Sequence, residues 1–188
     1  MSIEEGIKQS KEAYDLLTEV NSLLSDAVVN AYIFTWRWWL GVSLFIIPWI
    51  LWLIFRKRDI QGRLFMAGIV SILLSIIIDL VALSKGLWSY PVSITTIAPL
   101  LFLPYHFSLT PVVIMFFLQI KPRVNPIIKG IVFAALAAFG GMKFFEMIDL
   151  YESKGWSTFY DFFIFLTIYF VAYLSSSIGG YRELSDDS

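Results

Sequence analysis

The sequence predicts an all-α protein, a polytopic helical membrane bundle of five transmembrane helices with an N-terminal amphipathic helix. Hydrophobic residues make up 58% of the 188 residues, and the mean hydropathy is +0.74. Charged residues make up only 15%, whereas a soluble domain carries about 25%. Helices satisfy their own backbone hydrogen bonds, as a hydrocarbon environment requires, so the apolar composition favours a helical membrane protein.

Three regions follow from the distribution of apolar residues along the chain. We expect residues 1–35 to form an extracytoplasmic amphipathic helix, 36–180 the transmembrane bundle and 181–188 a cytoplasmic tail. An apolar helix of about twenty residues crosses the hydrocarbon core of a bilayer. The predicted spans are approximately 38–55, 64–83, 94–119, 127–147 and 160–178.

The N-terminal segment allows two interpretations. Residues 3–31 repeat apolar positions at seven-residue spacing, which is typical of a coiled coil, and Asn21 at a core position would set the register. The same pattern is typical of an amphipathic helix that lies on a membrane surface. We favour the amphipathic helix, because Ser10 and Asn21 interrupt the apolar seam.

Proline residues interrupt the third predicted span. They are Pro91, Pro99, Pro104 and Pro111. Each proline removes a backbone donor and clashes with the preceding helical turn. We therefore expect residues 94–104 to be a half-helix or an irregular segment that leads into a regular helix from about residue 105. Irregular backbone at membrane depth occurs where it is buried or lines a cavity, so this segment is the best indicator of a binding site.

The charges of the loops predict the orientation in the membrane. Residues 56–63 hold four basic side chains, and the loop before the fourth span adds Lys121 and Arg123. Cytoplasmic loops carry the excess of Lys and Arg. The expected topology therefore places the N-terminus outside and the C-terminus in the cytoplasm.

A short phrase occurs twice and suggests a duplicated helical hairpin. Its copies are Ile78–Leu80, Ser84–Gly86 and Trp88–Ser89, and then Ile148–Leu150, Ser153–Gly155 and Trp156–Ser157. In both copies an apolar run ends at the aspartate and another apolar run follows the tryptophan. Two parallel hairpins would place both turns on the same, outer side, as in the parallel repeats of some transporters. Chance similarity is the alternative, because the phrase is short and its spacing differs between the copies.

Ionisable residues near the outer ends of the spans are the candidate site residues. They are Arg37, Asp79, His106, Lys143, Glu146, Asp149 and Asp161. Such residues are costly inside a membrane and usually face the bundle interior. We select His106, Glu146 and Asp79, with Tyr105 beside them, as a ligand-binding cluster that could relay protons, bind a cation or hold a polar head group. The alternative is structural, with charged residues such as Asp161 marking helix ends.

Several classes of function are disfavoured by composition. The chain has no cysteine and one histidine, whereas a zinc site usually takes two or three nitrogen or sulfur ligands. We therefore predict no metal, no cofactor and no catalytic residue. The formal net charge of −1 provides no basic surface for a nucleic acid.

Dispersed motifs occur at Gly86–Pro91, Leu103–Phe107, Pro111–Val113, Phe145–Glu146 and Trp156. At these residues the chain resembles an uncharacterised family of small multi-pass membrane proteins from spore-forming Gram-positive bacteria. The resemblance implies a bacterial cell membrane and no established activity. More distantly, Asp79, the turn at Gly86–Tyr90 and Pro104 are similar to the membrane-embedded lycopene cyclase domain. That family has paired glutamates after the proline, where this chain has Tyr105-His106-Phe107.

These observations favour a non-enzymatic membrane module that binds a lipid-like or small amphipathic ligand, or a partner membrane protein, near its outer face. Two other functions stay open: the substrate-binding component of a multisubunit transporter, and an isoprenoid-modifying enzyme related to lycopene cyclases. The expected partners are the lipid bilayer and either a membrane protein or a second copy of the chain.

Overall fold

The computed structural model describes residues 1–177, and the predicted cytoplasmic tail at 181–188 lies outside the described residues. The all-α class is confirmed, because residues 1–177 form helices and connecting loops without a β-strand. The helices are α1 (Ile3–Ala27), α2 (Trp36–Phe55), α3 (Gln61–Ser84), α4 (Tyr105–Gln119), α5 (Pro126–Met147) and α6 (Thr158–Ser177).

Four of these helices, α2, α3, α5 and α6, are long and apolar enough to cross a membrane. The chain therefore has the helices of a multi-pass membrane protein. The third predicted span, 94–119, is different: only Tyr105–Gln119 forms a continuous apolar helix, which is shorter than the other four. Residues 94–102 are irregular, since the prolines there prevent a regular hydrogen-bonded helix.

Helix α3 occupies the centre of the bundle. It packs against both α4 and α6, while α2 packs on α4 and α5 packs on α6. Ala67, Ser71 and Ser75 of α3 are buried, and such small side chains let helix backbones approach closely in membranes. One close approach between two helices is at Gly130 of α5, where an added Cβ would lie 2.8 Å from the ring of Tyr169 in α6.

The loops at 85–104 and 148–157 contact each other at one end of the bundle, which we call the turn end. The backbone N–H of Ser89 donates to the carbonyl oxygen of Glu152 at 3.0 Å, and that of Glu152 donates to Ser89 at 2.9 Å. The rings of Trp88 and Trp156 meet edge to face, with centroids 5.4 Å apart. The two copies of the repeated phrase thus form one joined layer over the bundle.

Side chains at the opposite end of the bundle cap the ends of two helices. Gln119 of α4 accepts from the backbone N–H of Lys57 and donates to the carbonyl oxygen of Phe55, both at 3.2 Å. Lys129 Nζ donates to the carbonyl oxygen of Ile120 at 2.7 Å. These bonds satisfy carbonyl groups that helix termini leave without partners.

Helix α1 takes little part in the packing of the bundle. It begins with a capping box between Ser2 and Glu5, and none of its residues is buried. Apolar side chains such as Ile3 and Leu23 are exposed. The amphipathic surface helix and the coiled coil therefore both remain predictions for this segment.

Candidate functional site

Asp79 receives three polar contacts at the turn end of the bundle. It lies in the last turns of α3 and is 2% exposed. Trp88 Nε1 and the Tyr90 hydroxyl each donate to Oδ1 at 2.7 Å, and His106 Nε2 lies 3.1 Å from Oδ2. Buried charges are stable only when paired and hydrogen-bonded, and these three groups provide that compensation for the carboxylate.

Both ring nitrogens of His106 contact polar side chains of α3, Nδ1 at Ser75 and Nε2 at Asp79. The Ser75 hydroxyl donates to the carbonyl oxygen of Ile72 at 3.0 Å, so it accepts from His106 Nδ1 at 3.1 Å. Nε2 then faces a carboxylate oxygen, and two acceptors cannot bond without a proton between them. A proton held by one of the two groups therefore joins Nε2 to Oδ2.

Proline and a π-helical turn bring His106 into this position. Tyr105–Leu109 is π-helical, a rare conformation that often occurs at functional sites. Pro111 has no N–H, so the carbonyl oxygen of Phe107, four residues earlier, loses its usual helical partner. Trp49 Nε1 of α2 donates to that oxygen at 2.8 Å. The bond attaches α2 to the start of α4 and leaves His106 fully buried.

A small polar cavity borders this network. Its volume is about 20 Å³, which is enough for one water molecule. The residues with polar side chains in its lining are Ser75, Asp79, Trp88, Tyr90, Tyr105, Tyr151 and Asp161. Two predicted site residues, Asp79 and Tyr105, thus line the cavity directly, and His106 reaches it through its bond to Asp79.

Glu146, the fourth predicted site residue, lies apart from this cluster. Its carboxylate accepts from Lys143 Nζ and from the Ser153 hydroxyl, both at 2.6 Å. It lines neither the polar cavity nor the larger cavity described below. The structure therefore places Glu146 in a partly exposed ion pair near the end of α5 and brings together only His106, Asp79 and Tyr105.

The second copy of the phrase places its aspartate at the surface. The Asp149 side chain is 69% exposed, and its Oδ2 lies 2.6 Å from Arg37 Nη2. Arg37 also donates through Nε to the carbonyl oxygen of Ile148 at 2.8 Å. This arginine joins the start of α2 to the second turn.

Asp161 is a buried carboxylate that we considered as a candidate from the sequence but assigned to a helix end, outside the ligand-binding cluster. It is 5% exposed, and its Oδ1 accepts from Trp156 Nε1 at 2.9 Å. Acidic residues are common in the first turn of a helix, where the positive end of the helix dipole stabilises their negative charge. The position of Asp161 in the first turn of α6 therefore suggested a helix end. The tryptophan five residues earlier, equivalent to Trp88, was the signal that could have identified it.

The two tyrosines that the loops contribute to the cavity remain protonated at neutral pH. Burial and the nearby Asp79 charge raise the pKa of Tyr90 well above its ordinary value. Burial, followed by the charge of Asp161, likewise raises the pKa of Tyr151. Both hydroxyls therefore keep a proton to donate, and that of Tyr90 donates to Asp79. The Tyr151 hydroxyl is buried and has no partner among the described residues.

A larger cavity, the apolar groove, lies between α4 and α5. Its volume is about 360 Å³, within the range of about 300–1,000 Å³ for small-molecule sites. Its apolar lining includes Leu44, Leu109, Val113, Phe133, Ala137 and Phe145. The groove exists because α4 and α5 contact each other sparsely, whereas each packs firmly on a neighbouring helix.

Two hydroxyl side chains occur in the lining of the apolar groove. They belong to Tyr105 and Thr110. Thr110 is 4% exposed, and its hydroxyl lies near that of Tyr105 but makes no hydrogen bond of good geometry among residues 1–177. Tyr105 lines both the groove and the polar cavity, as do Met142 and Phe165, so these three side chains lie between the two spaces.

No family model, curated protein or solved structure matches the chain. Within residues 1–177, no three His, Cys, Asp or Glu side chains are grouped so that they could hold a metal ion. Candidate functions therefore depend on the geometry of the polar cavity and the apolar groove.

Proposed function

We propose that this protein is an integral membrane module that binds a lipid-like amphiphile, with one hydrocarbon chain in the apolar groove. The observation that carries the proposal is the groove itself. It has the volume of a ligand site and an almost wholly apolar lining, and its hydroxyl groups are those of Tyr105 and Thr110.

The buried Thr110 hydroxyl favours a ligand that has an acceptor oxygen next to its hydrocarbon chain. A buried hydroxyl without a partner costs about 1–3 kcal/mol. An ester, carboxylate or phosphate oxygen near Thr110 would accept its proton and remove that cost. The hydrocarbon chain would meanwhile cover the side chains of Val113, Phe133 and Phe145, so the groove matches both parts of a single-chain amphiphile.

The direction of the groove in the membrane follows from the loop charges. Arg56, Lys57 and Arg58 lie at the end of the bundle away from the joined turns. The positive-inside rule would place that end in the cytoplasm. We accordingly propose a bacterial cell membrane, an external N-terminus and a ligand whose polar part lies toward the outer face.

Binding is better supported than catalysis. An isoprenoid-modifying enzyme needs carboxylates beside its substrate, and here Asp79 and Asp161 face a cavity with a volume of only about 20 Å³. The apolar groove, which could take a polyene chain, has no carboxylate in its lining. The buried acids thus have no access to a substrate of that size.

Native mass spectrometry of the full chain in a mild detergent tests the proposal. We expect the purified protein to retain one single-chain lipid or isoprenoid, whose mass distinguishes these two sources. Gly141 lines the groove, and an added Cβ there would lie 3.9 Å from its nearest neighbour. The Cβ of Gly141→Leu is therefore accommodated, and the rest of the leucine side chain should occupy the groove and remove the bound mass.

The adjacent Gly140 provides the matched control. It is outside the groove lining, and an added Cβ would meet nothing within 4 Å. Gly140→Leu should keep the bound lipid while changing the same helix by the same side chain. Equal lipid retention in the two variants, or no retained amphiphile in the unaltered protein, would contradict the proposed function.

A further inference from the structure

The polar cavity contains unmatched hydrogen-bonding groups of both kinds. The Tyr151 hydroxyl is a buried donor without a partner among residues 1–177. Asp79 has about four lone-pair sites as a carboxylate, and its neighbours use three of them. Asp161 accepts one bond, from Trp156, through Oδ1. One donor and at least two acceptor positions thus surround a space of about 20 Å³.

One water molecule satisfies all these groups at once. It can accept from Tyr151 and donate one proton to Asp79 and the other to Asp161. Buried waters typically make about three hydrogen bonds to such groups. The cavity has the volume that one water needs, and no larger molecule fits it.

The charges around the cavity give this water a further role. No Lys, Arg or His of the described residues forms an ion pair with Asp161. The Lys143–Glu146 pair acts on Asp161 only at longer range. The other titratable groups that face the cavity are Tyr90, Tyr105 and Tyr151.

We propose that the cavity binds one water molecule that couples the protonation of Asp161 to the His106–Asp79 pair. In a transfer, the O–H bond of protonated Asp161 breaks as its proton joins the water. A second proton leaves the water for Asp79, so the water is regenerated and no charge leaves the cavity. The proton thus passes from Asp161 to Asp79 through the water, and the Tyr151 hydroxyl holds that water in place by donating to its oxygen.

The only histidine in the chain provides the test. With ¹⁵N-histidine in the full-length protein, the two ring nitrogens of His106 are observed by NMR across a pH series. Asp161→Asn keeps an acceptor for Trp156 but removes the titrating carboxyl. We expect it to displace the signals of both His106 ring nitrogens at constant pH.

Tyr151→Phe is the second variant, because it removes only the bridging hydroxyl. It should also displace the His106 signals. Asp149→Asn is the control, since Asp149 lies at the surface beside Arg37 and should leave the signals unchanged. Unaltered His106 signals in both cavity variants would overturn the proposal. A displacement in Asp161→Asn alone would overturn the bridge through Tyr151.

Discussion

The two turns at the end of the bundle carry the same phrase, yet they place their aspartates differently. Asp79 of the first turn is buried and bonded to Trp88, Tyr90 and His106. Asp149 of the second turn is exposed and paired with Arg37. In the second turn the tryptophan instead bonds the carboxylate that follows it in α6. The indole–carboxylate contact is therefore common to both turns, although the aspartate that provides it differs.

The backbone explains why the second aspartate turns outward. Asp149 has a positive φ of 60°, because α5 ends just before it, whereas Asp79 lies within the continuous helix α3. A side chain within α3 faces the packed centre of the bundle, but one in the turn faces the surface. The length of the helix before each turn, more than the local phrase, therefore decides which carboxylate is buried.

Replacing each aspartate gives the largest expected difference between the turns. Asp79→Asn should lower the free energy of unfolding by about 3 kcal/mol, because it disturbs a buried, charge-assisted network. Asp149→Asn should cost less than about 1 kcal/mol, as expected for an exposed ion pair. Denaturant unfolding of both variants in the same detergent measures the difference. Similar costs would mean that the first network contributes no more than the surface pair.

The two tryptophans should differ by a smaller amount. Trp88→Phe removes a buried donor to Asp79 and should cost about 2 kcal/mol, whereas Trp156→Phe removes a donor from a partly buried ring and should cost about 1 kcal/mol. The same unfolding experiment measures both. A larger cost at Trp156 would indicate that Asp161, and not Asp79, is the main buried acceptor.

Each turn also contributes a tyrosine with a raised pKa, Tyr90 and Tyr151. Below about pH 10 the hydroxyls are protonated in both the folded and the unfolded protein. Above it the unfolded protein releases these protons first, so the free energy of unfolding should fall by about 1.4 kcal/mol per pH unit for each tyrosine. Tyr151→Phe should reduce that slope, as unfolding curves over the alkaline range would reveal. An unchanged slope in this variant would contradict the raised pKa of Tyr151.

The contact that joins the turns at the surface should have the smallest effect. The Ser89 hydroxyl donates to Glu152 Oε2 at 2.7 Å in an exposed position. Ser89→Ala should change the free energy of unfolding by less than about 0.5 kcal/mol, because the two backbone bonds between these residues remain. A cost above 1 kcal/mol would show that the side chain, and not the backbone, holds the turns together.

Composition and hydropathy were sufficient to predict the helical membrane class, since both depend on local properties of the chain. The choice of Asp79 and His106 also followed from sequence, because ionisable residues at membrane depth are unusual. The hydrogen bond between Asp79 and His106 could not be predicted, because it depends on the irregular loop between α3 and α4. Glu146 shared the acidic character of Asp79, but its neighbours Lys143 and Ser153 pair it off near the surface.

The apolar groove could not be predicted from the sequence. It results from a gap between α4 and α5, and a gap depends on how neighbouring helices pack and not on any one residue. Thr110 was equally hidden, because a threonine in an apolar helix ordinarily bonds to its own backbone. Its unpartnered hydroxyl becomes informative only when the groove beside it is known.

Paired double-mutant cycles test most directly the claim that one turn contains a buried network and the other a surface pair. The first cycle combines Asp79→Asn with His106→Gln, and the second combines Asp149→Asn with Arg37→Gln. We predict a coupling energy of about 2 kcal/mol in the first cycle and less than about 0.5 kcal/mol in the second. Equal couplings, or a stronger coupling between Arg37 and Asp149, would contradict the account.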